Sequence, residues 1–156
     1  LTDAVSEDHP DCLRKLINEG QDVNECYKRH YALIDSLNNN DNKCLDVLLR
    51  CENLNLEVKM HGITALCFAA GSGNDEAVIK LLNKGAKLNN DSWITVVDSA
   101  ISSGRGNALR ILLFEDPKFD YNYSLKCAKD ILDKGEDKDL MTCYDILIKY
   151  KQLKGF

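Results

Sequence analysis

Proline is scarce: Pro10 and Pro117 are the only two in 156 residues, and no segment is of low complexity. With 44% hydrophobic and 29% charged residues, such a chain can bury a real core, and disorder is expected only at the ends. Long apolar runs are also missing. None approaches the roughly 18 residues that a membrane-spanning helix needs, because Lys, Asp or Asn interrupts every stretch. A soluble protein without membrane insertion, placed in the cytoplasm, is therefore expected. The chain starts at Leu1 without a basic-then-apolar leader, which reads as an excised or trimmed domain.

Positive charge is lacking where nucleic acid would need it. The net charge is -5, and residues 1–25 account for it, with Asp3, Glu7, Asp8, Asp11, Glu19, Asp22 and Glu25 against Arg14 and Lys15. The rest is nearly balanced and carries no basic stripe to neutralise phosphates, so nucleic acid is not the expected partner. A solvated acidic end face explains the cluster, with an acidic docking patch as the alternative. Seven cysteines, at 12, 26, 44, 51, 67, 127 and 143, form no Cys-x-x-Cys pair and have no histidine at metal-ligand spacing. Reduced, buried thiols are expected, and no metal site.

Catalytic apparatus is equally thin. The three histidines, His9, His30 and His61, fall at unlike places, and His30 and His61 sit on projecting loops with no desolvated pocket to activate Cys26 or Cys67. Gly71-Ser72-Gly73 has no following Lys-Ser/Thr and no preceding strand, so it reads as an inter-helix turn rather than a phosphate cradle. Carboxylates follow solvent faces. No catalytic, cofactor-binding or metal residue is assigned, and the chain is not read as an enzyme.

What the sequence does have is a period. An aliphatic pair recurs as Leu16-Ile17, Leu48-Leu49, Leu81-Leu82, Leu112-Leu113 and Ile146-Leu147, in steps of 32, 33, 31 and 34 residues. Three residues before each pair stand Leu13, Leu45, Val78, Leu109 and Cys143, giving an i, i+3, i+4 stripe on one helix per repeat. Upstream lies a second short helical window with small residues, at Ala4-Val5, Ser36-Leu37, Ala69-Ala70 and Ala100-Ile101. Small side chains allow close stacking of successive layers. Polar turns such as Gly71 to Asp75 separate the two helices, and Gly20 or Gly85 ends the second. The spacing predicts an all-α solenoid of about five helix-turn-helix units with projecting hairpin-like loops.

The stretch Gly62-Ile63-Thr64-Ala65-Leu66, followed by Ala69-Ala70, Gly73, Glu76, Val78, Leu81-Leu82, Gly85-Ala86 and Leu88-Asn89, resembles an ankyrin repeat at nearly every consensus position. Residues 4–24 resemble the helical part of another unit. Residues 27–57 and 91–122 are similar but degenerate, with Tyr31 and Thr95 at the threonine position and Arg29 and Trp93 where glycine is preferred. The resulting reading is one ankyrin-repeat domain over 1–156, with units near 1–25, 26–57, 58–90, 91–122 and 123–156. The last is degenerate, longer and more polar, suited to capping, and Pro117 places an irregular loop before it.

The resemblance implies a monomeric protein-interaction module, a scaffold or adaptor, that binds another protein through a concave face of loop tips and first helices. As an alternative it implies the substrate-recruiting arm of a larger enzyme or a ubiquitin-ligase adaptor. Its contact positions become Tyr27, Lys28 and His30; Met60, His61 and Ile63; Asp91, Ser92, Trp93 and Ile94; and, on the helix turns, Ser102 and Ser103. Asn24 and Asn89 are similar to positions that an asparaginyl hydroxylase modifies in such repeats.

Overall fold

In the computed structural model, described over residues 1–38, 42–88, 95–115, 122–133, 135 and 137–154, helices follow one another in pairs. They are α1 (Thr2–Ser6) with α2 (Pro10–Asn18), and α3 (Ala32–Asp35), prolonged by a 3₁₀ turn at Ser36–Asn38, with α4 (Lys43–Leu49). Next come α5 (Ala65–Ser72) with α6 (Asp75–Lys84), α7 (Val96–Ser102) with α8 (Gly106–Glu115), and α9 (Asn122–Leu132) with α10 (Lys138–Lys154). Each recurring aliphatic pair falls on the second helix of a pair. Leu13, Leu45, Leu48, Val78, Leu81, Leu109, Leu112, Cys143 and Leu147 are fully buried there, one contiguous core running through the layers.

α5 and α7 are short and rich in small residues, and this is what lets them stack. Ala69, Ala70 and Ala100 have no exposure, and α5 packs more extensively on α7 than on its own partner α6. A Cβ at Gly71 would already touch Ser103 Oγ at 3.5 Å and Ser99 Cβ at 3.8 Å. Larger side chains along this seam would separate the layers.

Among the described residues two hairpins project between pairs: β1 (Cys26–Tyr27) with β2 (His30–Tyr31), and β3 (Lys59–Met60) with β4 (Ile63–Thr64), both antiparallel. Their two-residue turns need a left-handed backbone at both central positions, the geometry whose twist matches the strands. Lys28 and Arg29 supply it at φ 50° and 70°, and His61 and Gly62 at 53° and 78°. Only the second turn has glycine where the requirement is greatest.

Polar side chains fasten one layer to the next. On the hairpin side, Asn24 Nδ2 donates to the Asn53 carbonyl at 2.8 Å while its Oδ1 accepts from the Asn55 amide at 2.7 Å. Glu57 Oε1 accepts from the Lys87 amide at 2.9 Å. On the turn side, Asn42 and Asn74 exchange amide bonds of 2.8 and 3.2 Å, and Arg105 Nε donates to the Gly71 carbonyl at 3.3 Å. Each such bond is worth only about 1 kcal/mol net, so the ladders set register while burial supplies most of the stability. At the last junction Gly104, at φ 66°, leaves no room for a Cβ, which would lie 2.5 Å from that of Asp139.

Candidate partner-binding face

The helix that carries each hairpin begins differently from layer to layer. Tyr31 offers α3 no side-chain cap. Thr64 caps α5 by accepting from the Cys67 amide at 3.4 Å, and its hydroxyl reaches Cys67 Sγ at 3.3 Å. Thr95 forms a reciprocal box with Asp98: the Asp98 amide donates to Thr95 Oγ1 at 3.1 Å, the Thr95 amide donates to Asp98 Oδ2 at 3.4 Å, and Thr95 Oγ1 also donates to Asp98 Oδ2 at 2.7 Å.

At the first tip Tyr27 is half exposed, with Lys28 Nζ 5.0 Å from its ring centroid, within cation–π range. His30 is exposed, and its Nδ1 lies 3.0 Å from Oδ1 of buried Asp35 rather than on Cys26. At the second tip His61 is exposed, whereas Met60 and Ile63 are half buried against the core. Ser102 and Ser103 are both exposed. Asp91, Ser92, Trp93 and Ile94 lie outside the described residues, as does Asn89; both ends of the Asn24 amide are engaged by the next layer.

The thiols depart in part from expectation. Cys44, Cys67 and Cys143 are buried and Cys51 and Cys127 half buried, but Cys12 and Cys26 are exposed. Cys12 lies on the first pair, off the buried Leu13 position, and Cys26 lies on a projecting strand, so neither has a layer to cover it. Burial pushes the Cys51 and Cys143 thiols above their ordinary range. A hydrogen bond with Cys26 raises the Tyr31 phenol, and one with Cys127 raises that of Tyr123. No cluster of three His, Cys, Asp or Glu suited to a metal ion occurs among the described residues. No described helix is long and apolar enough to cross a membrane.

Two openings were not anticipated. One is a cleft of about 260 Å³ walled by Ile101 and Ser102 of α7 and by Tyr123, Cys127 and Ile131 of α9, with Asp98 and Ser124 in its lining. Only first helices line it, so it lies on the same layer as the exposed serines. Tyr123 and Ile131 are 69% and 47% exposed, too open for core positions. Their i, i+8 spacing, with Cys127 between, is a stripe readable in the sequence, but nothing there says that α7 faces it. The other is a groove of about 420 Å³ between second helices α8 and α10, with Arg110, Phe114, Ile146, Tyr150 and Leu153 among its walls.

Stacked helix pairs, the first three joined by projecting hairpins and successive pairs linked by side-chain hydrogen bonds, define a helical repeat solenoid. The repeat type follows from comparison with known proteins. The family profile of ankyrin repeats in three copies matches residues 1–92 and 30–125, most of the chain, and the protein belongs to that family. The crystal structure of the human ASB11 ankyrin repeat domain superposes with a TM-score of 0.66 at 21% identity, covering 96% of this chain and 82% of that one. No curated protein sequence matches it.

Proposed function

We propose that this protein binds another protein through the face formed by its hairpin tips and first helices, without turnover. Ankyrin repeats are in general protein–protein interaction modules, and the fold is typically non-catalytic. The observation that carries the reading is that this face, like the α8–α10 groove, exposes large side chains, and that it also holds the loop tips. Tyr27 stands at the first tip, and Tyr123 and Ile131 stand beside Ser102 on the first-helix layer. Aromatic and aliphatic side chains left in water cost free energy that a partner recovers by covering them, and such residues dominate binding hot spots.

The contact set is Tyr27, Lys28 and His30 on the first tip, His61 with half-buried Met60 and Ile63 on the second, Asp91 to Ile94 in the sequence between the third and fourth pairs, and Ser102 and Ser103. The protein acts as a monomer in the cytoplasm. Affinity purification with the wild type beside Trp93→Ala tests the reading. The variant should lose the cognate partner at least about tenfold while its melting temperature stays almost unchanged, since 1 kcal/mol of stability would move it by roughly 2–8 °C. A variant that melts early and binds poorly would make Trp93 a packing residue. One that binds as tightly as wild type would move the site off the tips.

A further inference from the structure

We propose that the cleft between α7 and α9 seats one apolar side chain of a partner segment that is flanked by a cation, so that the partner presents a basic, aliphatic-bearing stretch of polypeptide. The inference rests on the tip-and-first-helix face being the binding face, and it deepens that reading by naming what the face accepts. At about 260 Å³ the cleft falls short of the roughly 300–1,000 Å³ typical of small-molecule sites, and suits a single side chain. Ile101 and Ile131 with the exposed ring of Tyr123 form apolar walls, and Cys127 lies between the last two on the same helix.

The lining adds a charge. Asp98 is half buried, and its two carboxylate oxygens accept from uncharged donors, Ser124 Oγ at 3.0 Å, Thr95 Oγ1 at 2.7 Å and the Thr95 amide at 3.4 Å. Among the described residues no cation pairs with it. Lys126 and Lys129 ride on α9 but do not line the cleft. The bias extends along the layer: α1, α3, α5 and α7 contain Asp3, Asp35 and Asp98 and not one Lys, Arg or His. Among the described residues, other cations on this side include Lys126 and Lys129 on α9 itself and Lys28, Arg29 and Lys59 on the projecting tips, none of them in the lining of the cleft. A partner side chain entering the cleft therefore meets apolar walls with one carboxylate, Asp98, as the charged group in the lining. A Lys or Arg beside the buried anchor gains there, whereas Asp or Glu is repelled.

A synthetic peptide panel tests this on the whole chain. Each fluorescent peptide carries one Leu, Ile or Phe between two Lys or Arg in a Gly/Ser background. Matched sets have the cations replaced by Glu or the anchor by Ala. Anisotropy should show binding by the cationic anchored set, weakened at least about tenfold by either replacement and further by raising salt from about 0.05 to 0.5 M. Ile131→Lys and Tyr123→Ala, at exposed positions and with melting temperatures unchanged, should lose the same factor, and Asp98→Asn should lose the preference for Lys over a neutral flank. If no cationic anchored peptide binds, or Glu-flanked peptides bind as well, the inference is overturned. If peptides bind but amide shift changes fall on Tyr27, His30 and His61, with Ile131→Lys without effect, the inference fails while the broader face survives. Shift changes confined to the α8–α10 groove would remove both.

Discussion

The second and third helix pairs build the same shape from residues of unequal fitness. In the third, Gly62 fills the left-handed turn position, Thr64 caps the first helix and Asn74 caps the second by accepting from the Ala77 amide at 3.1 Å. In the second, Arg29 is held at φ 70°, Tyr31 provides no cap, Asn42 enters α4 at φ 55°, and the first helix shrinks to four residues plus a 3₁₀ turn. Yet Leu33, Ile34, Leu45 and Leu48 are as buried as Leu66, Val78 and Leu81. Local backbone preference is thus dispensable in a layer that has neighbours on both sides, because burial between layers outweighs it.

That comparison breaks first at the core. Leu48→Ala and Leu81→Ala should each destabilise by about 2–5 kcal/mol and by nearly equal amounts, since both side chains are fully buried. Denaturant melts that showed the second pair losing much less would mean its layer is loosely packed. Next comes the polar seam. Asn42 is almost fully buried and bonds both Asn74 and Glu76, so Asn42→Ala forfeits those bonds at a backbone angle that alanine tolerates poorly. A cost of about 2 kcal/mol is expected, and an unchanged melting temperature would refute the ladder's role.

Opposite signs are expected at the two tips. Gly62→Ala should cost about 1 kcal/mol, and Arg29→Gly should gain up to about 1 kcal/mol by relieving the left-handed strain, as thermal melts would show. Smallest is an acid effect confined to the seam between these pairs. The Lys80 ammonium and the Asn42 amide hold the Glu76 carboxyl below its ordinary value, and Lys80 also pairs with Asp46. A depressed carboxyl stabilises above its ordinary value and loses that contribution as pH falls through the folded one. Glu76→Gln should therefore lower neutral stability slightly and flatten the acid limb of the stability curve, the two proteins converging at low pH. A steeper limb would contradict the assignment.

The repeat was legible because its signals are local. Aliphatic spacing, small residues in the first window and polar turns placed the paired helices, and the fold class is as the sequence implied. Boundary details were less legible. Ser36-Leu37 reads as a helical window but lies in a 3₁₀ turn, since Tyr31 gives the helix no anchored start. Of the expected contact residues, Tyr27 and His61 stand in solvent, while Met60 and Ile63 lean into the core because β3 and β4 lie close over it. The α7–α9 cleft escaped notice for a different reason. Tyr123 and Ile131 read as part of a polar terminal pair, and only their placement beside Ile101 and Asp98 makes them a wall.

The sequence alone determined the period, the pairing of helices and the projection of the loops, since each depends on residues within about one repeat, read through backbone preference and amphipathic spacing. Tertiary structure decided what no single repeat contains. It joined Ser124 to Asp98 across 26 positions and Asn24 to Asn55 across 31, and it opened one cleft between first helices and another between second helices. Those outcomes depend on how far each layer turns on the next. That rotation is set by the interdigitation of side chains from both layers, a property of the stack rather than of either stretch of chain.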